Sequence, residues 1–425
     1  MDYPNSIRIE PRRRFDAVVA VPGSKSITNR ALLTAALAEG RSELVRPLAS
    51  EDTAVMVDAL GALGCGIRVG KETCTVEGLG GRLRSPTAAV QTANSGTTAR
   101  FITAASVLAD GPVVIDGGPR MRQRPIQDLV DALVALGGSI DVLGENGCPP
   151  VRVQGHEWGG GHATIDASRS SQFVSAVLLA APYAKNEVVL TLQNGILVSR
   201  PYVELTMQVM RAFGGNVDWT PDGKIRVSRE QRYRGRTYGI EPDASSAVYA
   251  FCSAAITGGR ARVEGISGES IQADLAVLPI LEQMGCRILR GDQFIEVRGP
   301  ENRLLPVDAD MNDLPDAALA IAVVALFAAG ETHLRNIANL RLKETNRLLA
   351  LETELRKLGA QARATTDSLR IQPGPLHGAE IDTYDDHRMA MAFSMAGLRV
   401  EGVVIQNPGC VSKTWPEYFS DLGHQ

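Results

Sequence analysis

Six times along the chain, a short cluster of Ser, Thr, Asn or Asp opens onto about a dozen small and apolar residues. The stretches read "GSKSITNRALLTAALAEG", "NSGTTARFITAASVLADG", "SRSSQFVSAVLLAAP", "DASSAVYAFCSAAITGG", "NDLPDAALAIAVVALFAAG" and "DDHRMAMAFSMAGL". With Ser26, Thr97, Ser171, Ser245, Asp316 and His387 as markers, the intervals are 71, 74, 74, 71 and 71 residues. A second mark runs in step: Leu, Phe or Met followed by glycine at Gly64, Gly137, Gly214, Gly285 and Gly359, with Gly423 as a candidate sixth. Regular spacing at this length signals repeated supersecondary units. The apolar stretches are apolar nearly all round, so each is predicted to be a buried helix. Segments that end at the marked glycines, such as "TNRLLALETELRKLGA", carry a polar face and predict outer helices closed at glycine. Alternating runs such as "GSIDVLG" and "CRILRG" follow them and predict strands.

Each unit therefore reads as strand, apolar helix, strand, amphipathic helix, then strands. Six units exceed what one core organises, and 425 residues exceed one ordinary domain, so the natural division is three plus three. Chain crossings between the two halves are predicted near Val19–Pro22 and Tyr238–Asp243. Helix starts carry unpaired backbone N–H groups and a partial positive charge, which together favour anions. Simple capping accounts for "DASSAV", which has no cation. It does not account for Lys25, Arg30, Arg100 and Arg388 in or just after such starts.

Composition narrows the class without naming it. An apolar fraction of 44% with 22% charged residues describes a globular protein. The net charge of −4 gives no overall attraction to nucleic acid or membrane, so any anion site must be a local cluster. The six cysteines are scattered without a C-x-x-C pair, and read as buried small hydrophobes in a reducing compartment. Arg12, Arg13 and Arg14 read as a solvated turn. Ala317–Ala329 is too short to span a bilayer, and the opening residues lack a signal-peptide pattern. A cytoplasmic location is expected.

The candidate chemistry is cationic. In "VPGSKSITNRALL", Ser24 separates Gly23 from Lys25, and Val18 stands where a Walker A loop needs its first glycine. The loop is predicted to hold a phosphate other than a nucleotide's. In "NIANLRLKETNRLLALETEL", Asn339, Lys343 and Arg347 fall at i, i+4 and i+8, one face of a helix, with Glu344 beside them. Arg120, Arg122 and Arg124 alternate ahead of a Pro-initiated helix, and a binding role is favoured for them over surface placement. "DDHRMAM" adds His387 and Arg388, and "VSKTWPEYF" adds Lys413, while Met389, Met391 and Met395 read as core filler. Lys25, Arg30, Arg124, Lys343, Arg347, Arg388 and Lys413 exceed what one phosphate monoester requires. They suit two anionic substrates, since guanidinium forks match carboxylates and phosphates. Ser26, Ser170, Ser171, Gln172 and Ser199 are the neutral partners, and Asp316 and Glu344 the nearby carboxylates. No metal constellation is visible.

"PGSKSITNRALL", "NSGTTAR", "PRMRQRPI", "SSQF", "SRPY", "PDAA", "RLKETNRL", "DDHRMAM" and "SKTWP" occur in that order over the whole chain. They resemble the 3-phosphoshikimate 1-carboxyvinyltransferase (EPSP synthase) family of enolpyruvyl transferases, the shikimate-pathway family inhibited by glyphosate. The resemblance implies an α/β (α+β) fold in a two-domain inside-out α/β architecture, with six βαβαββ repeats, three per domain. It assigns residues 1–20 and 243–425 to one domain and 21–242 to the other, with a cleft that closes on substrate. It implies enolpyruvyl transfer from phosphoenolpyruvate to the 5-hydroxyl of shikimate 3-phosphate by addition and elimination, without cofactor, in a monomer. By match to the family's motifs, Asp316 resembles the group that takes the hydroxyl proton. Glu344 resembles the one that delivers a proton to carbon, with Lys25 sharing in either step. Lys25, Ser26, Arg30, Ser170, Ser171, Gln172, Ser199, Tyr202, Asp316, Asn339 and Lys343 look like the shikimate-phosphate pocket. Lys25, Gly96, Arg124, Gln172, Arg347, Arg388 and Lys413 look like the phosphoenolpyruvate pocket. Ala93 and Phe101 depart from the family pattern, which usually has Gly and often Pro there, and Arg200 replaces a common Lys.

Three rivals are weaker. The sister transferase acting on UDP-N-acetylglucosamine resembles a Lys-Asn pair where Lys25-Ser26 stands, and usually has a reactive Cys near Arg120–Arg124; no Cys lies between Cys74 and Cys148. A nucleotide-dependent kinase lacks its phosphate loop, and a Rossmann fingerprint is also absent. A repeat scaffold without activity gives no reason to set single carboxylates among so many cations.

Overall fold

The computed structural model describes residues 3–155, 157–229 and 231–423. The chain divides into two compact units, Met1–Pro22 with Glu241–Gln425, and Gly23–Ile240. Each has its own hydrophobic core. In the Gly23–Ile240 unit three buried helices, Lys25–Leu37, Gly96–Ala105 and Ser171–Ala180, pack on one another. In the discontinuous unit the same role falls to Ala244–Thr257, Ala318–Val324 and His387–Gly397. Their alanine-rich sequences allow close approach. Several internal hydroxyls are satisfied within the helix: Thr34 donates to Arg30 O, Thr103 to Ala99 O and Ser253 to Tyr249 O.

The outer helices end as their sequences predict. Gly64, Gly137, Gly214, Gly285 and Gly359 have φ of +94°, +89°, +92°, +100° and +97°, and Gly423 has φ +58°. Only glycine occupies that region without strain, so each helix stops there.

Among the described residues there are five four-stranded sheets and one three-stranded sheet. Within a repeat the buried helix joins two parallel strands and the last two strands add antiparallel, as in Gly161–Ala167, Val188–Leu197, Ile225–Val227 and Val217–Trp219. The strand order departs from a simple linear repeat at the crossings. Asp16–Val19 precedes the first buried helix in sequence, yet pairs in parallel with Arg260–Glu264 of the fourth repeat. Thr237–Gly239 precedes the fourth buried helix, yet pairs with Arg41–Val45 of the first. Each unit thereby closes on a strand that lies outside its own run of repeats in sequence. The sixth sheet is completed by Ser6–Arg8, antiparallel to Val404–Gln406.

All six cysteines are free, and five are buried. Met389, Met391 and Met395 are core residues. Among the described residues no helix is long and apolar enough to cross a membrane.

Candidate active site

The Gly23–Ile240 unit gathers polar side chains at the starts of its buried helices. Ser24 is the N-cap residue of Lys25–Leu37. Gly23 has to be glycine, because a Cβ there would lie 2.4 Å from Arg46 O. Lys25 and Ser26 form the first turn and are half-buried. Among the described residues the Lys25 ammonium has no hydrogen-bond or ion-pair partner. Arg30, one turn deeper, is buried. Its Nε donates to Thr206 Oγ1 at 2.7 Å, Nη1 to Ser26 O at 2.9 Å, and Nη2 to Tyr202 O at 3.1 Å and Ser175 Oγ at 3.4 Å. It also lies 5.4 Å from the Phe101 ring centroid. Burial pushes the Arg30 guanidinium down to about 10. Arg30 thus lies beneath the first turn, linking it to the Ser171–Ala180 and Arg200–Ala212 helices.

Gly96 opens the second buried helix, and a Cβ on it would lie 2.5 Å from Arg124 Nη2 and 2.9 Å from Arg100 Nη1. Both guanidiniums are buried, and Arg124 Nη1 donates to Asn94 O at 3.3 Å. Ser170 caps the third helix, accepting from Gln172 N at 3.2 Å, and Gln172 Nε2 reaches Thr97 Oγ1 at 3.2 Å. That bond joins two helix starts, and Ser171 is buried beside them. Ser199 is buried and left-handed, at φ 52° and ψ 46°, an uncommon conformation for a residue with a side chain. Its carbonyl accepts from Tyr202 N at 3.1 Å. Ala93, two residues before the N-cap Ser95, is also left-handed at φ +46°. Of the three alternate arginines, only Arg124 is buried. Arg122 forms a two-pronged surface pair with Asp116 at 2.5 and 2.9 Å, and Arg120 donates to Gln123.

The discontinuous unit builds a different array around Arg347, which is 1% exposed. Its Nε and Nη2 bind Asp386 at 2.7 and 3.1 Å, Nη1 binds Asp316 at 3.0 Å, and Nη2 binds Glu344 at 2.9 Å. Burial acts to lower the guanidinium's pKa, but Asp386, Glu344 and Asp316 together outweigh it and hold it above its ordinary value. Arg388 Nη2 meets Asp316 Oδ2 at 2.9 Å and Lys343 Nζ lies 3.6 Å from Asp316 Oδ1. Lys413 Nζ is 3.8 Å from Glu344 Oε1. Asp386 also caps the third buried helix, accepting from Arg388 N at 2.9 Å. Asn339 is buried, and among the described residues its Oδ1 has no hydrogen-bond partner. His387 is fully buried, with Nδ1 3.6 Å from Asp386 Oδ1.

One expectation fails here. Asn339, Lys343 and Arg347 do not share one α-helix face. Ala338–Leu342 is a 3₁₀ helix, Lys343 is extended at φ −84° and ψ −158°, and the α-helix begins only at Arg347. Asn346 starts it by accepting from Leu349 N, which stops the chain from continuing as helix through Lys343. Lys343 and Arg347 meet instead through Asp316. Asp386, which the sequence reading did not single out, binds Arg347 and caps the helix that carries Arg388. Among the described residues no group of three or more His, Cys, Asp or Glu is arranged to hold a metal ion.

Solved structures share this architecture. The enolpyruvyl transferase NikO from Streptomyces tendae superposes with a TM-score of 0.79 at 19% identity, covering 98% of this chain and 96% of that one, which establishes a shared fold. EPSP synthase from Acinetobacter baumannii superposes with a TM-score of 0.80 at 28% identity, covering 98% and 97%. The family model described as EPSP synthase (3-phosphoshikimate 1-carboxyvinyltransferase) matches residues 9–422, and the chain belongs to that family. Relatives named 3-phosphoshikimate 1-carboxyvinyltransferase include one from Trichormus variabilis, 44% identical over 410 residues and 96% of each chain. Another, from Klebsiella pneumoniae, is 44% identical over 422 residues and 98% of each chain.

Proposed function

We propose that the protein transfers the enolpyruvyl group of phosphoenolpyruvate to the 5-hydroxyl of shikimate 3-phosphate and releases phosphate. The observation that carries the reading is the meeting of Asp316 and Glu344 on one buried guanidinium, Arg347. The reaction must take a proton from a hydroxyl and add one to carbon, then reverse the second transfer. Two fixed carboxylates among cations meet that requirement. Asp316 takes the hydroxyl proton as the oxygen bonds to C2 of phosphoenolpyruvate. Glu344 delivers a proton to C3, turning the methylene into a methyl group in a tetrahedral adduct. Glu344 then removes a methyl proton while the C2–O bond to phosphate breaks.

Among the described residues the Lys25 ammonium has no partner, which supports a ligand-facing role for it; the buried side-chain oxygen of Asn339, likewise without a partner among the described residues, supports a role in the shikimate-phosphate pocket with Lys343. Arg124, Gln172, Arg347, Arg388 and Lys413 are assigned to phosphoenolpyruvate, whose carboxylate and phosphate suit guanidinium forks. Arg30, buried and bonded to protein groups, supports the pocket from beneath. The sister reaction on UDP-N-acetylglucosamine is not favoured by the named relatives. A monomer acting in the cytoplasm completes the proposal.

Mixing the protein with shikimate 3-phosphate and phosphoenolpyruvate, without metal or nucleotide, is expected to release inorganic phosphate. A requirement for ATP, or release with UDP-N-acetylglucosamine in place of the shikimate ester, would remove the reading.

A further inference from the structure

We propose that Glu354 and Tyr384 form a positioning clamp for Arg347, Arg388 and Lys413, and so for the phosphoenolpyruvate half of the reaction; the inference rests on the functional reading above. The turn ahead of the third buried helix of this unit holds two consecutive non-glycine residues in the left-handed region, Tyr384 at φ +54° and Asp385 at φ +55°. Such a pair persists only where its surroundings over-determine it.

The surroundings do so from three directions. Glu354, fully buried on the Arg347–Lys357 helix, accepts from the Tyr384 hydroxyl at 2.6 Å and from Asp382 N at 3.2 Å. Lys357 Nζ lies 2.9 Å from Glu354 and 2.7 Å from Asp382, tying the start of the turn to the same helix. Asn407, itself left-handed at φ 47°, donates from Nδ2 to Asp385 at 3.3 Å.

These contacts lead to the cations. Glu354 follows Arg347 by seven residues, which returns to the same helix face. One helix therefore grips the turn at both ends: Glu354 holds Tyr384, and Arg347 holds Asp386. Asp386 also accepts from Arg388 N, so the turn fixes where that helix begins. Asn407 begins the 3₁₀ helix Pro408–Lys413, so the third contact runs to the segment that carries Lys413. Site groups keep productive geometry only when the residues behind them are themselves locked.

Steady-state kinetics and shikimate 3-phosphate calorimetry on Tyr384→Phe, Glu354→Gln and Tyr384→Gly test the clamp. Tyr384 is 40% exposed, so its variants remove little core packing. Tyr384→Phe and Glu354→Gln are expected to raise KM for phosphoenolpyruvate about tenfold, the loss of one hydrogen bond to a charged group, with the Kd for shikimate 3-phosphate moving less than about twofold. Tyr384→Gly removes the strain together with the clamp, and its KM is expected to be as high as that of the Phe variant. An unchanged KM for phosphoenolpyruvate, or an equal loss for both substrates, would overturn the clamp. A wild-type protein inactive on the two substrates would instead remove the underlying reading, and the clamp with it.

Discussion

Arg30 and Arg347 are buried to nearly the same degree, but one lies against hydroxyls and carbonyls while the other is ringed by three carboxylates. Arg30, with no ion-pair partner among the described residues, has its pKa lowered by burial. Arg347 has its pKa raised by Asp386, Glu344 and Asp316. The difference separates two kinds of buried cation. The first leaves positive charge to be balanced from outside, which suits binding. The second already holds balancing carboxylates, and a cage of fixed charge around groups that exchange protons suits chemistry.

The comparison can be broken at several points. Replacing Glu344 by Gln is expected to cut kcat by roughly 10²–10⁴-fold with shikimate 3-phosphate affinity largely kept, because a proton donor is lost and little binding surface changes. Near-wild-type turnover in a stopped assay would count against its role. Arg347→Met strips the buried Asp386 of its guanidinium, while Asp316 keeps Arg388 and Glu344 keeps Lys413, and should cost about 3–5 kcal/mol in denaturant unfolding. Arg30→Met should cost less, about 1–3 kcal/mol, since Thr206 and Ser175 remain bonded to one another at 2.8 Å. The reverse order would erase the distinction between the two arrays.

Lys25→Met should weaken shikimate 3-phosphate binding about 10–100-fold, the loss of a charge-assisted bond, while leaving the unfolding midpoint unchanged. A large stability loss would mean that Lys25 is held by the fold and not by ligand. The smallest expected effect is at Ala93. Left-handed backbone is disfavoured for alanine, so Ala93→Gly is expected to gain about 0.5–1 kcal/mol, visible as a higher melting temperature.

What could be read from the residues alone was local. Small apolar runs after capping residues mark six buried helices, and glycines mark six helix ends, because both signals lie within a few residues of the structure they specify. The exchange of Asp16–Val19 and Thr237–Gly239 between sheets left no such mark, since strand pairing is decided by distant partners. The break between Lys343 and Arg347 leaves the apparent helical periodicity intact and is set by the cap at Asn346. The cations at the helix starts were legible as a set. The left-handed Tyr384 and Asp385 were not, because contacts from Glu354 and Asn407 hold a conformation their own types disfavour.

The division of labour between the arrays is tested most directly by running the reaction in heavy water and measuring deuterium at the methylene carbon by mass spectrometry. If Glu344 protonates that carbon and then removes a proton from the resulting methyl group, both product and recovered phosphoenolpyruvate will carry deuterium. Glu344→Gln will slow the appearance of label by the same factor as its turnover, while Lys25→Met at saturating substrate will keep it. A product free of deuterium from the wild-type protein would contradict the account.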